Sequence, residues 1–376
     1  MVPDKPTTRF EALDSLRGVC AMMVVLYHMH QVGGAIVNVP FVRHSWVFVD
    51  FFFVLSGFVI ASSYMKRLGE GFGVARFMGL RLGRIYPLHL FVLLLLCFHE
   101  VASILIGDSL IGGRTAFDTP NSPANFVRNL LLLQSSGLRE SAGWNPVSWS
   151  VAAEIWAYLL FALVVVWLKR GATAFFAGLA LLSLAVFVAF HRQSLDTTYD
   201  FGIIRCFYGF SIGMLVQRLR ERWQPRGGHL AEIGTTVLVI AYVAMFADGV
   251  TSLIAPLVFA LPICLFASEN GCVSWLLNRK PFRVLGTLSY AIYMFHLFAL
   301  VCYYDLVDTF HQWVSWQIAP DIATIGALFF VTVMSWPVWH FIEMPARDWS
   351  RQRVSQSRTR EMAGLPAMLV PGGAGD

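Results

Sequence analysis

Ten apolar stretches recur along the chain, at 16–37, 46–65, 84–107, 148–168, 172–190, 201–217, 231–247, 253–269, 286–304 and 323–343. Most are close to the roughly 20 residues that a helix needs to cross a hydrocarbon core. Polar residues are confined largely to the short intervals between them. This pattern predicts an all-α fold, a polytopic membrane helix bundle with ten transmembrane helices. An eleventh stretch, 125–133, is too short to cross and carries Arg128, so it reads as a surface or re-entrant helix. No internal repeat is evident, which excludes a solenoid.

Basic residues set the orientation. With ten spans and a cytoplasmic N-terminus, 22 of the 28 Lys and Arg fall on the cytoplasmic side and five outside, the last, Arg205, lying within a span. That is a strong positive-inside bias. If 125–133 crossed, every later loop would change sides and the bias would collapse, so both termini are expected in the cytoplasm. Residues 66–83 form the main inner loop and 108–147 the longest outer one. Residues 1–350 are expected to form one transmembrane domain. Residues 351–376, Arg-rich and then Gly/Pro-rich, are expected to be a disordered cytoplasmic tail.

Composition agrees. A chain that is 57% hydrophobic and 14% charged, with a mean hydropathy of +0.62, belongs in a bilayer and not among soluble domains. The net charge of +5 does not indicate a nucleic-acid partner, because the basic residues form no single patch. The six Cys lie in or beside apolar stretches, where a thiol behaves as a small hydrophobe. They imply no disulfide framework and no metal spacing. The N-terminal segment has no small-residue cleavage site, so no removable leader is expected.

The chemistry must then come from polar residues within the spans, where an ionisable group is a functional candidate by default. Arg17 and His28 are eleven residues apart, which returns them to within roughly 20° of one helix face with a rise of roughly 16 Å. The plain alternative is a snorkelling Arg17 and a His28 bonded to a neighbouring helix. Asp50 sits among phenylalanines in FVDFFFVLSGF and needs a partner, a cavity or a neutral form; a structural ion pair would serve. The Ser56-Gly57 pair reads as a close-packing site. Arg81 and Arg84, three apart, face one way and suit a phosphate-bearing ligand, although anchoring at the inner surface would also explain them. Pro87 is expected in the first turns of its span. Glu154 lies in WSVAAE at a depth similar to Arg205, a possible ion-pair partner, and His296 ends SYAIYMFH near mid-depth. Four such groups, His28, Asp50, Glu154 and His296, argue for a water-accessible cavity. Trp144, Trp313 and Trp316 lie in outer loops, where they could stack on sugar rings or form an interfacial belt.

Taken together these segments resemble the type 3 membrane acyltransferases, which O-acylate polysaccharides, peptidoglycan, nodulation factors and some antibiotics. The resemblance runs from LDSLRG to FIEMPAR. Arg17 with His28 matches the family's Arg-x10-His signature, VDFFFVLSGF its second-helix motif and RLGRIYP its paired-arginine motif. WSVAAE and SYAIYMFH resemble two further segments. Ile155 and Phe298 depart from residues often found there. The resemblance implies a multi-pass protein of the bacterial cytoplasmic (inner) membrane with no bound cofactor or metal. Its co-substrate would be acyl-CoA, usually acetyl-CoA, and its acceptor a glycan or lipid-linked glycan hydroxyl at the outer face. It implies Arg17, Arg81 and Arg84 as donor-binding residues, with His28, Asp50, Glu154 and His296 in the catalytic set: His28 as general base, Asp50 orienting it. Two other classes stay open from the residues alone, a proton-coupled transporter and a non-catalytic acyl-CoA-binding membrane protein.

Overall fold

The computed structural model describes residues 10–29, 33–106, 115–137, 143–190, 192–225, 227–314 and 317–362. Lys5, Arg9, Arg114, Arg139, Arg226 and Trp316 lie outside the described residues, as do 363–376 of the tail. Among the described residues there is helix and no strand. Each of the ten apolar segments contains a helix: α1 Glu11–Tyr27, α2 Phe48–Gly69, α3 Val74–Ile106, α4 Ser148–Leu168, α5 Ala172–Ala189, α6 Gly202–Trp223, α7 His229–Met245, α8 Ala255–Phe266, α9 Lys280–Trp313 and α10 Pro320–Val338. A last helix, α11, runs from Met344 to Met362. Among the described residues six helical stretches are long and apolar enough to cross a membrane, which makes this a multi-pass membrane protein. One of the six, Ser148–Ala189, holds both α4 and α5. It folds back at Lys169 (φ 42°), so that the rings of Phe161 and Phe176 meet at 5.9 Å. A straight helix would hold them roughly 22 Å apart.

Several boundaries differ from expectation, for local reasons. The first helix stops at Tyr27, ten residues before its segment does, and Gly33 and Gly34 further on take φ 79° and 98°, which no helix continues through. The inner loop expected at 66–83 is short, since α3 starts at Val74. Pro87 therefore lies inside a helix and not near its start. The tail expected to be disordered from residue 351 is helical as far as Met362.

Glycines set how closely the helices pack. Without a hydrophobic drive between helices in lipid, close backbone approach supplies the dispersion energy. A methyl group on Gly18 would lie 2.3 Å from the backbone carbon of Leu285, and one on Gly286 would lie 2.5 Å from the Asp14 carbonyl oxygen. These contacts lock α1 to α9. Gly57 meets the Phe210 carbonyl and Gly213 the Val54 carbonyl in the same way, locking α2 to α6. Both pairs run parallel: Arg17 meets Ser289 and His28 meets His296 across α1 and α9, and Asp50 meets Arg205 and Gly57 meets Phe210 across α2 and α6.

The short helix Pro123–Leu130 lays one face against the bundle and leaves Pro123, Ala124 and Val127 exposed, as a surface helix would. Ser122 caps it, Asn125 and Asn129 are buried, and Tyr86 and His89 of α3 bond the carbonyls of Leu130 and Asn129, each at 2.9 Å.

Candidate functional site

Helices α1, α2, α3, α4 and α9 enclose a cavity of about 120 Å3. Arg17, Arg81 and Arg84 line it together with Ser56, Glu154, Tyr158 and Tyr293. The three arginines expected at a donor site and one of the expected acids thus share one space. Their bonding differs. Arg17 donates from Nε to Ser289 Oγ (2.8 Å) and from a terminal nitrogen to the Gly286 carbonyl (3.3 Å), so the glycine contact between α1 and α9 also seats this guanidinium. Arg81 donates to Tyr64 Oη at 2.7 Å and lies over that ring, while its Nε is buried without a partner. Arg84 makes no hydrogen bond or ion pair among the described residues, although it faces the cavity. A guanidinium presents five donors, so this site is rich in unused ones.

On the opposite wall, Tyr158 donates to Glu154 Oε1 at 2.5 Å and receives a bond from Ser56 Oγ at 2.9 Å. Glu154 and Tyr158 are four apart on α4 and so meet on one face. Ser56, read from sequence only as part of a packing pair, belongs to this chain of hydroxyls. The next wall is Tyr293, whose Oη is 2.8 Å from Ser150 Oγ and 3.3 Å from the Val147 carbonyl.

Tyr293 leads to the histidines. Its backbone carbonyl takes a bond from His296 Nδ1 at 2.7 Å. Because a carbonyl only accepts, Nδ1 carries the proton and Nε2 holds the lone pair. That Nε2 lies 3.3 Å from His28 Nδ1, with ring centroids 5.0 Å apart. His28 Nδ1 in turn bonds the Val24 carbonyl in the last turn of α1 at 2.8 Å, beside the His28 backbone N–H that the same carbonyl receives at 3.3 Å. By the same argument His28 Nδ1 is protonated, shared between Val24 and His296, and Nε2 is its basic nitrogen. His296 is fully buried and His28 half-buried. The two rings meet because Gly18 to His28 and Gly286 to His296 are each ten residues, measured in parallel from the same glycine contact.

Asp50 is elsewhere. Arg205 grips it with Nε to Oδ1 at 2.9 Å and a terminal nitrogen to Oδ2 at 2.7 Å. Both residues are buried, and the guanidinium also donates to the Thr197 carbonyl while lying against the indoles of Trp46 and Trp149. Both oxygens of Asp50 are therefore taken, and the orienting role expected of it toward His28 is not made. Nor does Arg205 pair with Glu154. Trp144 is corrected too: it is buried between Phe117 and Phe126 and bonded to the Ser122 carbonyl, while Trp313 is exposed.

Sequence reasoning missed Tyr64, Tyr158, Ser150 and Ser289. Tyr158 was signalled by its spacing from Glu154, and Ser289 is the first residue of the SYAIYMFH segment.

Comparison with known proteins adds the family. Residues 10–340 match the model of the acyltransferase 3 domain. Acyltransferase MdmB of Streptomyces mycarofaciens is 32% identical over 41% of this chain and 39% of its own. BcsY of Komagataeibacter xylinus, a candidate membrane-bound transacylase, is 24% identical over 97% of this chain and 90% of its own. The peptidoglycan O-acetyltransferase OatA of Listeria monocytogenes is 23% identical over 91% of this chain and 57% of its own. The chain thus spans less than two thirds of the length of MdmB and OatA. No solved structure matches it. With the family model covering nearly the whole chain, including every residue that lines the cavity, this protein belongs to the type 3 membrane acyltransferase family.

Proposed function

We propose that the protein is a membrane O-acyltransferase that moves an acyl group, most simply acetyl, from cytoplasmic acyl-CoA to a hydroxyl of a cell-surface or secreted glycan. The observation that carries this is the convergence of Arg17, Arg81, Arg84 and Glu154 on one cavity whose wall, Tyr293, leads to a histidine pair. Ten spans in a bacterial inner membrane, with both termini in the cytoplasm, give the arginines the cytoplasmic side. The positive-inside count and the parallel α1–α9 and α2–α6 pairs support that topology.

Arg84, with its donors unengaged, is the first contact for the donor's phosphates, and Arg17 and Arg81 stand beside it. The pantetheine arm runs up the cavity past Glu154 toward Tyr293, bringing the thioester to the histidines. His28 is the ring a substrate can reach. Its Nε2 takes the proton from the acceptor hydroxyl as the oxygen attacks the thioester carbonyl. The C–O bond forms, and the tetrahedral intermediate expels the CoA sulfur, which leaves as the thiol after taking that proton from His28. The product is an ester. His296 fills the part that Asp50 does not: its Nε2 lone pair holds His28 Nδ1–H and steadies the positive ring between the two proton transfers. The C-terminal end of α1 favours the same charge.

The test is purified full-length protein incubated with acetyl-labelled acetyl-CoA and extracted surface glycan. A base-labile ester on the glycan is expected with the wild type and not with His28→Ala. Label transfer by the His28→Ala variant at the wild-type rate would overturn the base assignment. Absence of any ester with a full panel of envelope glycans would favour the transporter or acyl-CoA-binding readings.

A further inference from the structure

The chain leaves α10 through a π turn, Trp339–Glu343, before α11 begins. Such a turn adds one residue to the helical register and re-aims the side chains around it; turns of this kind are frequent at functional sites. This one packs against α3 and α9, two walls of the cavity. Beyond it, α11 is held tightly to α3: a methyl on Gly83, next to Arg84, would lie 2.3 Å from Ser350 Cβ. The π turn ends on Glu343, which is 4% exposed and whose Oε2 is buried without a hydrogen-bond partner. The charges that act on it are those of Arg84, Arg17 and, one turn further on, Arg347. None forms an ion pair with it among the described residues. A buried carboxylate left short of a bond is costly. Glu343 thus lies within charge range of the donor-site arginines, behind the cavity wall, without an ion pair to any of them among the described residues.

We propose that Glu343 is a positioning residue of the donor site, a fixed counter-charge that balances Arg17 and Arg84 while the site is empty and opposes the phosphates of bound CoA so that the spent donor leaves. This rests on the reading that the cavity takes acyl-CoA. A phosphate that reaches Arg84 comes within the field of Glu343, in surroundings where charges are poorly screened. The carboxylate therefore weakens binding, and it weakens the binding of CoA and acyl-CoA alike, since both carry the same phosphates. Removing its charge should tighten both, lower KM and slow product release, so that kcat falls with KM. A carboxylate that only braced α11 would give the opposite sign in binding.

The experiment is calorimetric titration of full-length protein in nanodiscs with CoA. It compares wild type, Glu343→Gln, Glu343→Asp and Arg84→Gln, each with its thermal unfolding midpoint. Glu343→Gln should bind CoA about tenfold more tightly, equivalent to about 1.4 kcal/mol. Glu343→Asp, which keeps the charge, should stay near the wild type, and Arg84→Gln should bind at least tenfold more weakly. If Arg84→Gln binds as the wild type does, or the wild type does not bind CoA, the donor-site reading fails and the inference with it. If the wild type binds and Arg84→Gln does not, while Glu343→Gln binds equally or more weakly, the inference alone is overturned. Tightening in Glu343→Asp equal to that in Glu343→Gln overturns it too, because the charge would then not be the cause; that arm decides if Glu343→Gln does not fold.

Discussion

Two arginines inside this bundle show opposite uses of the same side chain. Arg205 is closed: two bonds to Asp50, two to the Thr197 and Trp46 carbonyls and the indoles of Trp46 and Trp149 against it leave it little to offer a ligand. Arg84 is open, with its donors facing a cavity and no partner among the described residues. Both sit in apolar surroundings where an isolated charge is costly, so each must be matched. Asp50 matches Arg205 within the protein. Arg84 is matched by the charge of Glu343 without an ion pair and, in the proposed reaction, by a phosphate. Charge in a membrane span is therefore not by itself the mark of a reactive site; what distinguishes the site is bonding capacity left unused.

The largest way to break the comparison is at the reacting end. His28→Ala should lower turnover by about 10²- to 10⁴-fold, the usual contribution of a general base, with little change in thermal stability. Single-turnover transfer from labelled acetyl-CoA checks it. On the closed side, Arg205→Met strands Asp50 and should cost about 3–5 kcal/mol of stability. The double variant Asp50→Leu/Arg205→Met should recover much of that loss, as read from unfolding midpoints in detergent. Failure of the double variant to recover would mean that the pair does more than satisfy itself. On the open side, Arg84→Gln should raise KM for the donor at least tenfold while costing much less stability than Arg205→Met, because its donors bond nothing among the described residues and Arg17 and Arg347 still act on Glu343. An equal loss of stability in both arginine variants would erase the distinction between them. The smallest effect is expected from Tyr158→Phe, which removes the bond to Glu154 and the one from Ser56 and should cost about 1–2 kcal/mol. It sharpens the comparison by showing whether the wall opposite the arginines contributes to kcat or only to packing.

The residues that line the site were legible where spacing along one helix decides the outcome. Arg81 and Arg84, three apart, face the same cavity as their spacing requires. Partnerships between distant helices were not legible. Depth alone matched Arg205 with Glu154 as readily as with Asp50, because a rise of 1.5 Å per residue fixes depth but not which way each helix is turned about its axis. The packing of Gly57 and Gly213 at the α2–α6 crossing sets that rotation and sends Arg205 to Asp50. The end of α1 was hidden for another reason: the His28 to Gln31 stretch is short and apolar residues resume after it, so the run does not show that the helix ends at Tyr27. The role of Glu343 could not be read either, since nothing in FIEMPAR marks a π turn.

Hydrophobic runs and the placement of Lys and Arg are linear properties of the chain. By themselves they determined that this protein is a helical membrane bundle and which residues were polar enough to matter. Only the tertiary structure decided which of those residues meet. His28 and His296 are 268 positions apart and touch because two glycines let α1 and α9 run side by side in register. Contact between helices depends on rotation and close approach, and those are set by the packed surfaces of both partners together.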